Sequence, residues 1–241
     1  MKPSALLFAL AAAGVAVRAH AQTPALIFDA RAAVTPTEPS AAEAALLERV
    51  VRREARAAWH GEDVCSEAFT VLGRARGAFT RPDAAQTVAL YSYCAMGRQM
   101  GREGLAVLDS GRVVAHVVWE GGLDDGLLAL PDLNQNGLSE IAIASGGSGQ
   151  GFMQAGLAVV ELGSRGVQKL GMFVTYTNNC GTDEPRLAEH ASALFATAGA
   201  SPRFFSEGFV KPCDAPGPWR AESARAPVAP AKDETTYRRL R

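Results

Sequence analysis

No Cys-x-x-Cys pair occurs in this chain, and its four cysteines, Cys65, Cys94, Cys180 and Cys213, stand far apart. That spacing excludes zinc ribbons and thioredoxin-like redox pairs. Histidine is equally sparse: beyond residue 21 only His60, His116 and His190 remain, none at metal-ligand spacing from another. His116 falls in an apolar alternating run, where a hydrogen-bonded structural histidine is the expected reading. Acyl- and phosphoryl-transfer signatures are missing as well. Gly146-Gly-Ser148-Gly-Gln150 lacks the second glycine of a nucleophile elbow, no Lys-Ser or Lys-Thr follows it to make a P-loop, and the dinucleotide fingerprint fails at its last position. Nor is charge of one sign in excess, since 24 basic against 25 acidic residues give a formal net charge of -1. Without a basic stripe interleaved with aromatics, nucleic acid is not an expected partner.

What is present begins with an address. Lys2, the apolar stretch Ala5 to Val17 and Ala19-His20-Ala21 have the layout of a secretory signal peptide, residues 1–21, cut after Ala21. That stretch is shorter than the ~20 apolar residues a spanning helix needs, and no cysteine follows the cut to carry a lipid. No later segment is long and apolar enough to span, so the expectation is a secreted or periplasmic chain. Cleavage would leave 22 basic against 25 acidic residues. An even cysteine set in an oxidising compartment predicts disulfides. Four cysteines allow three connectivities, and Cys65 with Cys94 and Cys180 with Cys213 is favoured because each pair flanks one sequence unit.

Residues 22–39 are rich in Ala, Thr and Pro and read as a flexible lead. Ser40-Ala-Ala-Glu43 then has the form of a capping box, and Leu46, Leu47, Val50, Val51, Ala57 and Ala58 make the apolar stripe of a helix within 40–61, ended by Gly61. From about residue 62 to 213 short apolar runs alternate with Gly-rich turns, and the chain repeats itself. Gly104-Leu-Ala-Val-Leu-Asp109 recurs as Gly156-Leu-Ala-Val-Val-Glu161, and the segment Phe79 to Leu90 aligns with Leu133 to Ala144, placing Gln86 opposite Glu140. Two segments in the same order predict duplicated meanders near 77–122 and 127–175. Leu194 to Val210 can add one more hairpin. Residues 214–241 carry Pro, Ala and charge without apolar period and read as a disordered tail.

The richest stretch is Asp132-Leu-Asn134-Gln-Asn136-Gly137-Leu138-Ser-Glu140. Oxygen-bearing side chains alternate along it, and a glycine falls where the backbone must turn. A hard cation takes six to eight oxygens, and Asp132, Asn134, Asn136, the Leu138 carbonyl and Glu140 supply five in the order of a calcium loop. Position 12 is Ile143, within an apolar alternating run, so the loop feeds a strand. An Asn-Gly hairpin turn that binds nothing is the competing reading.

With Leu130-Pro-Asp132 before it and Ile-Ala-Ile-Ala after it, this stretch resembles the FG-GAP or VCBS type of repeat, the calcium-loop blade of integrin alpha-subunit propellers and of many bacterial secreted proteins. The resemblance covers about fifteen residues and departs by having Asn136 where an Asp often stands. It implies one structural calcium ion and a recognition scaffold in place of an enzyme. In the first copy the ligand positions hold Ala78, Thr80, Pro82, Ala84 and Gln86, which predicts an ion-free relative.

The chain is too short to close a propeller of four or more blades. The expected fold is mainly β, with two to three antiparallel blade-like meanders in an open, propeller-like arrangement and an N-terminal helix covering a sheet edge. The expected function is that of an exported, calcium-stabilised binding or scaffold protein with a protein or glycan ligand of the cell envelope. A secreted hydrolase using the loop carboxylates Glu120, Asp124, Asp125, Asp183 and Glu184, or a surface-layer component, are the alternatives. A cleft common to Asp124, Asp125, Asp183 and Glu184 would favour the hydrolase.

Overall fold

The computed structural model describes residues 23–32, 37–58, 69–93, 101–163, 166–184, 187–214 and 217–241. The signal-peptide reading of 1–21, His60, Gly61 and the Cys65–Cys94 bridge lie outside the described residues.

One helix, α1 (Ala41–Ala58), precedes a run of antiparallel strands. Its start is fixed by the capping box: the Glu43 amide donates to Ser40 Oγ at 3.3 Å and the Ser40 amide donates to Glu43 Oε2 at 3.0 Å. Four strands, β2 (Phe69–Gly77), β3 (Gln86–Tyr93), β4 (Gly101–Asp109) and β5 (Arg112–Gly121), make a first meander. A second follows with β6 (Asp124–Ala129), β7 (Ile141–Gly149), β8 (Phe152–Gly163) and β9 (Gly166–Asn178). The repeat seen in sequence is therefore a repeat of four-stranded units. A third unit is built from β10 (Ala188–Thr197), β11 (Arg203–Pro212) and β12 (Arg220–Val228), with β1 (Ala25–Asp29) beside β10.

Hydrogen bonding groups these strands, together with the short β13 (Arg238–Arg239), into two sheets, one of eight strands in the order β12-β11-β10-β9-β8-β7-β6 with β1 on β10, and one of five in the order β13-β5-β4-β3-β2. The larger sheet is nearly two. Strand β9 stays with β10 for only three pairs, Tyr176 to Asn178 against Glu189 to Ala191, and β1 takes over the far half of β10. The second and third units thus swing apart and pack on each other.

Strand alternation sets the layers. Val88, Leu90, Leu105 and Val107 of the first unit meet Ile141, Ile143 and Val160 of the second. On the second unit's other face, Ala142, Leu157, Val159 and Phe173 meet Leu194, Phe204 and Phe28 of the third. On the first unit's outer face, Ala89, Tyr91, Ala106 and Leu108 receive Leu47, Val50 and Val51 of α1. The helix therefore covers a sheet face, where its apolar stripe finds an apolar partner, and not the sheet edge expected from sequence. Among the described residues there is no closed barrel or propeller.

Two segments differ from expectation. The lead 22–39 contains β1, because Phe28 is buried in the core and the strand's backbone pairs with β10. The tail 214–241 contains β12 and β13 (Arg238–Arg239), the latter paired with Val117 and Val118. Strand β12 is exposed along almost its whole length, so it has no apolar period to read. Cys180 and Cys213 are disulfide-bonded with a Cα separation of 5.6 Å, tying the β9–β10 loop to the end of β11. Closing a loop of 33 residues stabilises by about 3 to 4 kcal/mol on a chain-entropy argument. No helix among the described residues is long and apolar enough to cross a membrane, which says nothing about strands.

Candidate metal centre

The loop between β6 and β7 lies at the junction of all three units. The Ser139 amide donates to the Ala78 carbonyl of the first unit at 2.7 Å, and the Gly199 amide of the third unit donates to the Leu133 carbonyl at 2.8 Å. Leu130 and Leu133 are buried in the core between the second and third units, so apolar side chains anchor the loop.

Asp132 organises the turn. Its two carboxylate oxygens accept the amides of Asn136 at 3.0 Å and Gly137 at 2.7 Å. Gly137 has φ +88, and a Cβ there would stand 2.9 Å from Pro82, so a glycine is required on both counts. Asn134 Oδ1 accepts the Asn136 amide at 3.2 Å and Asn136 Oδ1 accepts the Leu138 amide at 2.9 Å. Glu140 is fully buried and reaches back along the loop, accepting the Leu133 amide at 2.7 Å and the Asn134 amide at 3.3 Å.

A further carboxylate joins them. Glu161, at the end of β8 and only 3% exposed, accepts Nδ2 of both Asn134 and Asn136 at 2.7 Å. Asn136, Leu138 and Glu161 open onto a cleft of about 380 Å³. Burial pushes the Glu140 carboxyl up to about 7, and the nearby Glu161 charge adds to the rise against the opposing loop amides. Neither Glu140 nor Glu161 has an ion-pair partner among the described residues. Among those residues no group of three His, Cys, Asp or Glu is close enough to hold a metal alone. An ion here must draw on Asn134 and Asn136 oxygens and the Leu138 carbonyl as well, and such an all-oxygen set suits a hard cation and not zinc.

The corresponding loop of the first unit has the same frame and different charge. Gln86 Oε1 accepts the amides of Phe79 and Thr80, each at 3.0 Å, as Glu140 does for Leu133 and Asn134. Asp83 takes the left-handed conformation at φ 58 in the place of Gly137. Asp109 stands where Glu161 does, accepting Gln86 Nε2 at 3.1 Å and pairing with Arg81 at 2.9 Å. The Arg81 hydrogen bond, with help from Gln86 and Ser110, holds the Asp109 carboxyl below its usual range. One buried carboxylate has thus become an amide, and the other has a guanidinium beside it.

Sequence reasoning named Asp132, Asn134, Asn136, Leu138 and Glu140 and missed Glu161. The signal was available: Asp109 and Glu161 close the two matched strands as the same acidic position. The loop carboxylates of the hydrolase alternative are not brought together. Asp124 and Asp125 line one cleft, of about 590 Å³, with Gly146, Gly147 and Met153, whereas Asp183 and Glu184 line another with Phe152 and Asn179. Glu103, unnoticed in sequence, lies behind Asp124: its Oε1 accepts the Asp124 amide at 3.3 Å, and burial raises both carboxyls.

His116 is a core residue with both ring nitrogens occupied. Nδ1 faces Glu54 at 2.8 Å and Nε2 faces the Tyr91 hydroxyl at 2.5 Å, so a neutral ring donates to Glu54 and accepts from Tyr91. Burial lowers its pKa, against the opposing pull of Glu54. Arg241 reaches the same Glu54, and its carbonyl accepts the His116 amide at 3.2 Å. The exposed His190 faces Glu222 at 3.0 Å. Comparison of the chain with protein-family models, curated proteins and solved structures returns no match.

Proposed function

We propose that this chain is an exported binding or scaffold protein of the FG-GAP or VCBS repeat type, in which one calcium ion at Asp132, Asn134, Asn136, the Leu138 carbonyl, Glu140 and Glu161 locks the three units together. The observation that carries the reading is the pair of buried carboxylates, Glu140 and Glu161, without a basic partner among the described residues. Buried charge is costly unless compensated, and a divalent cation compensates both at once. The first unit supports the same logic, since its loop replaces one carboxylate with Gln86 and sets Arg81 against the other.

The ion acts as a fastener. It would bind where the loop meets Ala78 of the first unit and Gly199 of the third, so its loading tightens the stack and leaves the outer surfaces for recognition of a protein or glycan ligand of the cell envelope. The Cys180–Cys213 bridge is consistent with an oxidising, extracytoplasmic location. Three carboxylates and two amides place the affinity near that of extracellular modules, roughly 10⁻⁴ to 10⁻³ M. Calcium at a hundredfold above the dissociation constant would stabilise by about 2.7 kcal/mol. Thermal unfolding in calcium and in chelator tests it: the midpoint rises with calcium in the parent and not in Glu161→Gln, and an equal response of the two proteins would reject the site.

A further inference from the structure

The β7–β8 hairpin tip, remote from the calcium loop along both strands, carries two of the largest exposed apolar side chains among the described residues. Phe152 is 40% and Met153 44% exposed. Because successive residues of a strand point to opposite faces, they stand on the two sides of the tip. Met153 lines the cleft that holds Asp124 and Asp125, and Phe152 lines the cleft that holds Asp183 and Glu184. Among the described residues no lysine or arginine lines either cleft, and none of the four carboxylates has an ion-pair partner.

The tip is also held in place. The Gly181 amide donates to the Gly151 carbonyl at 3.2 Å, and a Cβ on Gly151 would fall 1.9 Å from the Gly181 carbonyl oxygen. Gly181 follows Cys180, whose disulfide anchors that loop to β11. In the other cleft the Asp124 carboxylate is oriented by Trp119 Nε1 at 3.1 Å, while Glu103 behind it is 2% exposed with Oε2 lacking any hydrogen-bond partner. A rigid surface with acid on both sides and an apolar residue on each loses little entropy when a ligand settles on it.

We infer that the β7–β8 tip is a docking surface for an extended, cationic segment of a partner polypeptide, whose Arg or Lys heads enter the two acidic clefts while their alkyl stems lie on Met153 and Phe152. The charge pattern selects the class: anionic glycans and nucleic acids meet four carboxylates, whereas long basic side chains offer both a charged head and an apolar body. This assignment rests on the reading of the chain as a recognition scaffold and supplies the partner class that reading lacks.

A fluorescent, end-capped decapeptide alternating arginine and leucine, titrated into the calcium-loaded full chain and followed by anisotropy, tests it. Binding is expected in roughly the 10⁻⁶ to 10⁻⁵ M range, weakening with salt. Asp124→Asn/Asp125→Asn and Phe152→Ser/Met153→Ser should each weaken it by about tenfold or more, whereas Val114→Ser, at an exposed apolar position on the first unit, should not. Equal binding by both double variants, equal binding of a glutamate-leucine peptide, or full competition by arginine amide at matched residue concentration would overturn the docking surface. The calcium reading stands or falls apart from this: Glu161→Gln should lose the calcium response and, if folded, keep the peptide.

Discussion

The two loops that open β3 and β7 share a backbone and differ in how they deal with charge. In each, one side chain three to four residues past the turn reaches back to cap two amides: Gln86 for Phe79 and Thr80, Glu140 for Leu133 and Asn134. In each, an acidic residue from the far end of the next strand closes the cluster, Asp109 or Glu161. The first loop keeps one negative charge and gives it Arg81. The second keeps Glu140 and Glu161 with no basic partner among the described residues, adds Asp132, and surrounds them with amide groups. The backbone cap is common to both loops and the charge it carries is not; on the calcium reading proposed above, that charge is what would make the second loop need a cation.

Breaking the cap should have the largest effect. Glu140→Ala leaves the Leu133 and Asn134 amides without their acceptor in the buried part of the loop, a loss of about 2 to 4 kcal/mol by denaturant unfolding. Glu140→Gln, which copies Gln86, should retain most of the calcium-free stability while losing the calcium response. If Glu140→Gln is as unstable as Glu140→Ala, the charge and not the cap holds the loop. The reverse exchange, Gln86→Glu, sets a buried carboxylate against Asp109 and removes the Gln86 donation to Thr80 Oγ1 at 2.7 Å. It should cost about 1 to 3 kcal/mol, and calcium should not restore it, because Thr80 and Pro82 stand where Asn134 and Asn136 supply oxygens.

The pH dependence sharpens the comparison further. The Glu140 carboxyl is raised in the folded state to about 7 from an ordinary 4.5. Its contribution to calcium-free stability is therefore fully present below the ordinary carboxyl value and lost as pH rises through about 7. Calcium favours the ionised form, so the calcium-induced rise in midpoint should be small at pH 5 and full at pH 8. Thermal scans across that window check this, and a rise independent of pH would exclude Glu140 from the site. Arg81→Ala should have the smallest effect, since its pair with Asp109 is solvent-facing; any loss should fade in about 1 M salt.

Sequence carried the elements with strong local signals. Ser40 and Glu43 announced the helix, the matched strands ending in Asp109 and Glu161 announced the repeated units, and the alternating oxygens from Asp132 announced the loop. Strands without an apolar period stayed hidden. Strand β12 is exposed along almost its whole length, β13 is a two-residue pairing with β5, and β1 contributes Phe28 to a core formed mainly by others. The helix stripe was legible, but whether it met a face or an edge depended on the outward residues of three strands together. Glu103 and Asp124 belong to different sheets, so only the tertiary fold brings them together. Glu161 was readable as the partner of Asp109 in the repeat, yet its distance in sequence from the loop concealed its place in the cluster.

Calcium titration calorimetry on the full chain tests the account most directly. One ion per chain is expected, with a dissociation constant roughly in the 10⁻⁴ to 10⁻³ M range, no binding in Asp132→Ala or Glu161→Gln, and unchanged binding in Arg81→Ala. No heat in the parent, or the same isotherm in the parent and Glu161→Gln, would contradict it.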